Sequence, residues 1–491
     1  MADGNALKHS TAPAALTADV NALAWGQFHL RGGWPRVWGF AGFYAAAVGA
    51  LVALAAISGN ATAGPLKYAL TGVQAAILVL FVAARVSAAI RQDLTSRMIE
   101  SHRLMPLSPA QAVLGYLLGP AGHPLALAAA NFVVGLFVSA AGGIPATIWL
   151  TANAVLLEFA AFVAVAMAFG AFSGKGSGAV VWLGFFVGVY SHAVIGFLMP
   201  ALNVLATPLA GRTVFNLGVT GGDAVAFYAP AFVFHVAFGA IFFAGACRRY
   251  RRDDRLAVGT DLGLALLAAW VAASAFAIVK WEDYRPFIMA RERSMPAVQF
   301  VGSLAAAMLV ALLPLNGAAF AAADWAGRRA LGDPALCRRP VPPLVVAIVA
   351  AGICLALAAV PVPNRTAGAV ARTAIVLVAY CVSSLYALRL LYRRTGSSQL
   401  PLVALWLFLT WLVPLGIDGA NWYLAQDRPE TLGTVSSFSP LGALIELWTG
   451  RGEIADAGLI FQGGIAAVLA ALFHLTGRRR PPGARQAPLA A

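Results

Sequence analysis

The sequence predicts an all-α polytopic membrane protein, with about twelve transmembrane helices in two six-helix halves and a short cytoplasmic helix between the second and third spans. Three observations carry this reading. The 491-residue chain is 60% hydrophobic and only 11% charged, where a soluble chain holds about 25% charged residues. Apolar runs of roughly 20 residues recur from Trp38 onward, each long enough to cross a ~30 Å hydrocarbon core as a helix. Basic residues collect in alternate loops, as the positive-inside rule requires.

Residues 1–20 are rich in Ala, Thr and Asn and read as a disordered cytoplasmic tail. Residues 21–37 mix aromatics with Arg31 and Arg36. They suit an amphipathic helix in the membrane interface, or a plain aromatic belt with snorkelling arginines. The first six-span half, 38–246, places spans near 38–57, 68–88, 123–141, 147–170, 179–200 and 227–246. Gly142–Gly143–Ile144–Pro145 is the only break between the third and fourth. Residues 247–258, CRRYRRDDRLAV, form a basic cytoplasmic linker. The second half, 259–475, places spans near 259–279, 297–320, 343–361, 370–391, 400–417 and 455–475, and 476–491 is a cytoplasmic tail. In each half the long external connection follows the fifth span, with Thr207–Pro208 and Ser439–Pro440 as cap and first-turn proline.

The net charge of +14 is accounted for by cytoplasmic loops, so no nucleic-acid partner is expected. Both termini are expected in the cytoplasm. The first 37 residues lack the apolar core of a cleavable signal peptide. Heavy use of Ala, Gly and Arg points to a bacterial inner membrane. Four cysteines without a CxxC pair support neither disulfides nor a metal site.

Ionisable groups inside a span are costly and are therefore candidates for function. Glu158 stands well inside the fourth span, in LLEFAAF, where a carboxylate costs roughly 3 kcal/mol. Asn131, His192 and His235 lie in neighbouring spans and are able to satisfy it. These four are candidates for a translocation pathway or for proton coupling; the competing reading is a structural hydrogen bond that fixes helix register. Arg85 is close enough to the cytoplasmic edge to snorkel. Asp418, beside Asn421, Trp422 and Tyr423, lines an exit or anchors the interface.

The stretch Arg91 to Pro109, RQDLTSRMIESHRLMPLSP, is the most informative polar segment. Leu94, Met98 and Met105 recur at helical intervals, and Arg91, Arg97, Glu100 and Arg103 fill other faces. Pro106 ends this short helix. Ser108 then caps the next, with Pro109 at its first position and Gln111 completing a capping box. The result is a pre-shaped elbow able to offer charges to a partner.

This elbow, with its continuation PLSPAQAVLGYLLGP, resembles the coupling-helix region of type-2 ABC exporter permeases. The matching positions are Asp93, Glu100, Arg103, Pro106, Leu107, Ser108, Pro109, Gly115 and Gly119. In layout the resemblance covers roughly residues 20–250. It implies a permease driven by a separate cytoplasmic ABC ATPase subunit that grips the elbow at 92–110. Asp93, Arg97, Glu100, Arg103, Pro106, Ser108 and Pro109 would then be the coupling residues. The second half departs from the pattern: Asp324 to Pro343, DWAGRRALGDPALCRRPVPP, has no PLSP step. A second permease chain or the second half would complete the pathway.

The chain carries no GxxxxGK[ST] phosphate loop, so no cofactor is expected in it and ATP would belong to the partner. Gly170 to Gly176, GAFSGKG, is one residue short and lacks the hydroxyl residue after Lys175. Two other classes compete. A proton-coupled secondary transporter of the major-facilitator type is suggested by Asp324 to Arg329, DWAGRR, although the expected copy between spans two and three is replaced by the elbow. An integral-membrane transferase would need a catalytic acid or base at an interface. The adjacent carboxylates Asp253–Asp254 sit among arginines that neutralise them.

Overall fold

In the computed structural model the chain divides into two compact units, the first made of Met1–Phe186 and Thr207–Ala257 and the second of Val187–Ala206 and Val258–Ala491. The structure describes residues 21–57, 63–143, 145–173 and 222–251 of the first unit. Of the second it describes 435–439, 443, 452–478 and scattered helical positions between 262 and 417. His192, the fifth span, most of the seventh to eleventh spans, Asp253–Asp254, Asp324–Pro343 and the Asp418 group lie outside the described residues.

The first unit is helical throughout its described length. It contains α1 (Ala22–Leu30), α2 (Gly33–Ile57), α3 (Ala63–Ala75), a π-helical turn (Ala76–Phe81), α4 (Val82–Thr95), α5 (Met98–Leu104), α6 (Pro109–Ala141), α7 (Ala146–Ser173) and α8 (Gly222–Arg251). In the second unit α9 (Gly452–Arg478) follows a 3-10 turn at Ser436–Phe438. Five described segments are long and apolar enough to cross a bilayer: Gly33–Leu54, Ala69–Thr95, Pro109–Ala141, Ala146–Ser173 and Tyr228–Arg251. That is the architecture of a multi-pass membrane protein. The remaining expected spans fall on residues not described, apart from a shorter apolar helix at Ala457–Phe473.

Three buried layers run along the bundle. At the elbow end Val86, Ile90, Ile99, Val113, Tyr116, Phe172 and Tyr250 pack together. Ile77, Leu78, Leu156, Phe159, Val163 and Met167 form the middle. Leu70, Val138 and Trp149 close the far end. Small residues set the helix spacing: the Trp149 ring lies where a Cβ on Gly135 would be, and its indole N–H donates to the Phe132 carbonyl at 2.9 Å. Close backbone approach of this kind is how helices associate where lipid removes the hydrophobic drive. α2 instead exposes Phe40, Phe43, Leu51 and Leu54, as suits a surface bathed by acyl chains.

Two boundaries differ from the sequence reading. The third span does not begin near residue 123: α6 is one 33-residue helix that runs through Pro120 and Pro124. Second, the 21–37 stretch is not one helix: α2 already begins at Gly33, and α1 covers only Ala22–Leu30. It packs along α6, and a Cβ on Gly115, Gly119 or Gly122 would meet Leu23, the Ala24 carbonyl or Phe28. Asn21 caps α1 through Ala24 N–H at 3.0 Å, and its amide donates to the Gln111 carbonyl on α6.

Candidate functional site

The elbow is built by two chain reversals. α4 ends at Thr95, where Thr95 and Ser96 hydroxyls donate to the Gln92 carbonyl. Arg97 adopts φ 59°, in the left-handed region, and is the only non-glycine residue among those described to do so. α5 follows. Met105 is extended, with φ −68° and ψ 150°, the conformation that a following proline imposes. Ser108 then caps α6 as a full capping box: its hydroxyl accepts from Gln111 N–H at 3.2 Å, and Gln111 Oε1 accepts from Ser108 N–H at 2.9 Å. The expected positions of Pro106, Ser108 and Pro109 are those observed.

The elbow helix is shorter than expected. Asp93 belongs to α4, before the break. Met98 and Met105 are exposed, while Ile99 and His102 are buried. The break at Ser96–Arg97 resets the helical phase, so Leu94 and Met98 do not belong to one continuous helix.

Asp93 is 5% exposed and lies at the centre of a hydrogen-bond network. Tyr116 O–H donates to its Oδ2 at 2.7 Å, and Gln27 Nε2 donates to the same oxygen at 2.8 Å. His102 Nδ1 stands 2.8 Å from the Tyr116 oxygen and 3.4 Å from Asp93. With the Tyr116 proton directed at Asp93, His102 is the donor to the Tyr116 oxygen. Arg31 donates to the Gln27 side-chain and main-chain oxygens. Burial pulls the Arg31 guanidinium below its ordinary pKa, and the Asp93 charge pushes the other way. One carboxylate therefore joins α1, α4, α5 and α6. Asp93 is thus an internal tie and not a charge offered to solvent.

Arg103 makes the connection to α8. Its Nε donates to the Tyr250 carbonyl at 2.6 Å, and its guanidinium lies 5.9 Å from the Tyr250 ring centroid. Arg249 repeats the device, donating to the Phe172 carbonyl at the end of α7 at 3.1 Å. Cations on the last carbonyls of helices satisfy orphan acceptors and oppose the negative end of the helix dipole. Arg97 and Glu100 remain exposed, together with Met98 and Leu104, which is 89% exposed.

The membrane-embedded candidates separate into two groups. Asn131 is fully buried and does not reach toward Glu158 for its bonds. It accepts from Tyr44 O–H at 2.8 Å and donates to the Leu70 carbonyl at 3.0 Å and to Gln74 Oε1 at 2.6 Å. Gln74 in turn donates to the Ala128 carbonyl, so this group ties three spans. Glu158 is met by His235, whose Nδ1 lies 2.9 Å from Oε1. The His235 ring stacks on Phe162 at 4.7 Å. His192 lies outside the described residues.

Gln27, His102 and Tyr116 are the members that sequence reasoning did not single out, although Tyr116 sits between the two glycines of LGYLLG. An aromatic hydroxyl flanked by glycines inside a span, one helix away from an acid, was the available signal. Compared with family models, with curated proteins and with solved structures, the chain matches none.

Proposed function

We propose that this chain is the membrane-spanning permease of an ABC-type exporter, driven by a separate ATPase subunit that bears on the elbow at 92–110. The observation that carries the reading is that the elbow is tied to several helices at once, through Asp93 and Arg103, while it leaves Arg97, Met98, Glu100 and Leu104 exposed. A push on the exposed Arg97, Met98, Glu100 and Leu104 would pass through Asp93 to α1, α4 and α6, and through Arg103 to α8. Pro106, Ser108 and Pro109 hold the return turn. The partner would supply ATP, and a second permease chain or the second half would complete the pathway.

One observation favours the proton-coupled secondary transporter instead: the Glu158–His235 pair, a carboxylate and an imidazole in contact within the apolar bundle. Co-purification separates the readings. Wild type is compared with a Glu100→Lys, Leu104→Asp double variant, both positions being exposed. A P-loop ATPase that travels with wild type and is lost from the variant supports the ABC reading. If no ATPase travels with either and transport follows an imposed proton gradient, the secondary transporter stands. The Glu158–His235 pair then becomes the centre of the mechanism.

A further inference from the structure

A cavity of about 330 Å³ opens between α1, α2, α4 and α6, lined in part by Arg31, Arg36, Arg85 and His123. Among the described residues no carboxylate lies in ion-pair distance of any of these arginines. Arg31 bonds to Gln27, and Arg36 reaches only the Arg31 carbonyl at 3.4 Å and the Phe40 ring at 5.6 Å. His123 Nε2 is buried and has no hydrogen-bond partner. Such a concentration of positive charge beside a buried, unpartnered imidazole nitrogen suits an anion.

The remaining lining residues identify the rest of the ligand. Each wall repeats one pattern along its helix axis. On α2, Phe40 is one turn beyond Arg36. On the second span, Phe81 is one turn beyond Arg85, at the end of the π-helical turn. On α6, Leu127 is one turn beyond His123. All six line the cavity. The chain directions place Phe40, Phe81 and Leu127 on the side away from the elbow in every case. Phe40 and Phe81 are each about half exposed, at 52% and 54%. The cavity is therefore basic toward the elbow, apolar toward the membrane centre and open on its lipid-facing side. Arg31 and Arg36 put its basic rim at the start of the first apolar segment, Gly33–Leu54, near the depth of lipid headgroups.

We infer that this cavity holds one anionic phospholipid, with its phosphate between Arg36, Arg85 and His123 and its acyl chain along Phe40, Phe81 and Leu127. The inference does not rest on the transporter reading and stands whether or not an ATPase travels with the chain.

The test is lipid binding to the delipidated full chain in mild detergent, read as retained adducts by native mass spectrometry. The probes are dioleoyl-phosphatidylglycerol, dioleoyl-phosphatidylcholine and glycerol 3-phosphate. Expected is one phosphatidylglycerol held about tenfold or more tighter than phosphatidylcholine. Arg85→Gln is expected to weaken it about fivefold, and Arg36→Gln with Arg85→Gln about 25-fold, from ~1 kcal/mol per arginine. Arg91→Gln, exposed on the same helix, leaves it unchanged. Equal binding of the two lipids by wild type overturns the inference without recourse to any variant. Unchanged binding by a folded Arg85→Gln protein also overturns it. So does glycerol 3-phosphate binding as tightly as the whole lipid, because the apolar wall would then contribute nothing and the site would belong to a soluble anion.

Discussion

Removing the Tyr116 hydroxyl tests the claim that Asp93 ties α1 to the elbow. In Tyr116→Phe the carboxylate loses its 2.7 Å donor and His102 loses its 2.8 Å acceptor. The site is fully buried at Tyr116, so no water replaces the hydroxyl. A hydrogen bond to a charged group contributes about 1.5–3 kcal/mol. Asp93→Ala is the harsher change, since it orphans both the Tyr116 and the Gln27 donors, at about 1–3 kcal/mol each. The double variant is expected to fall short of the sum by about 1–2 kcal/mol, because one change removes a donor that the other had stranded. The readout is tryptic cleavage after Arg31, which is held against Gln27 in the native state and is released when α1 undocks. Where cleavage is slow relative to reclosing, its rate follows the population of the open form. Tyr116→Phe should then be cut roughly 10- to 100-fold faster, and Asp93→Ala faster still, at 1.4 kcal/mol per tenfold. Cleavage within twofold of wild type in both, or strict additivity in the double variant, refutes the network as the tether of α1.

Three further outcomes are expected. Gly119→Val drives a Cβ against the Ala24 carbonyl, which lies 2.7 Å from that position; overpacking of about 1–3 kcal/mol should raise the same tryptic rate, while Gly26→Ala, with nothing within 4 Å, should not. Arg103→Gln removes a cation from the end of α8 and should lower stability in detergent by about 0.5–2 kcal/mol; a thermal melt locates it, and a melt equal to wild type denies the tie. Gly135→Ala places a methyl inside the Trp149 ring and should destabilise by at least ~1 kcal/mol, read by the same melt and by a changed tryptophan emission.

The local grammar of the elbow was legible where one residue's chemistry decides one backbone feature. Ser108, Pro109 and Gln111 specify a helix start by themselves, and Pro106 forces Met105 out of the helical region. Gly142 and Gly143 close α6, the latter at φ 64°. What was not legible depends on phase and depth. Nothing in Ser96–Arg97 marks a helix break, because arginine rarely takes positive φ, so the stretch from Asp93 to Met105 reads as one helix where the chain forms two ends. Pro120 and Pro124 suggest a helix start, yet α6 passes through both; in this bundle, packing against α1 and α4 supports the backbone that the prolines leave unbonded. The partner of Glu158 was readable as a choice among neighbours but not as a selection. That selection follows from the crossing of α7 and α8, which brings His235 to Glu158 and leaves Asn131 to Tyr44 and Gln74 on other helices.

The two arginine caps and the Asp93 network have a joint mechanical consequence. A helix end is ordinarily the loosest part of a helix, because its last carbonyls are unpaired. Here the end of α8 is held by Arg103 from α5, and the end of α7 by Arg249 from α8. The end of α4 is held through Asp93 by α1, α5 and α6. Each tie crosses from one element to another and none is a self-contained cap. Displacing α5 therefore strains α8 through Arg103 and α6 through His102 and Tyr116 in the same step. An elbow tied at only one place would flex under load. One tied to several helices through charge-assisted bonds moves them together, which is the property that the proposed coupling to an ATPase requires.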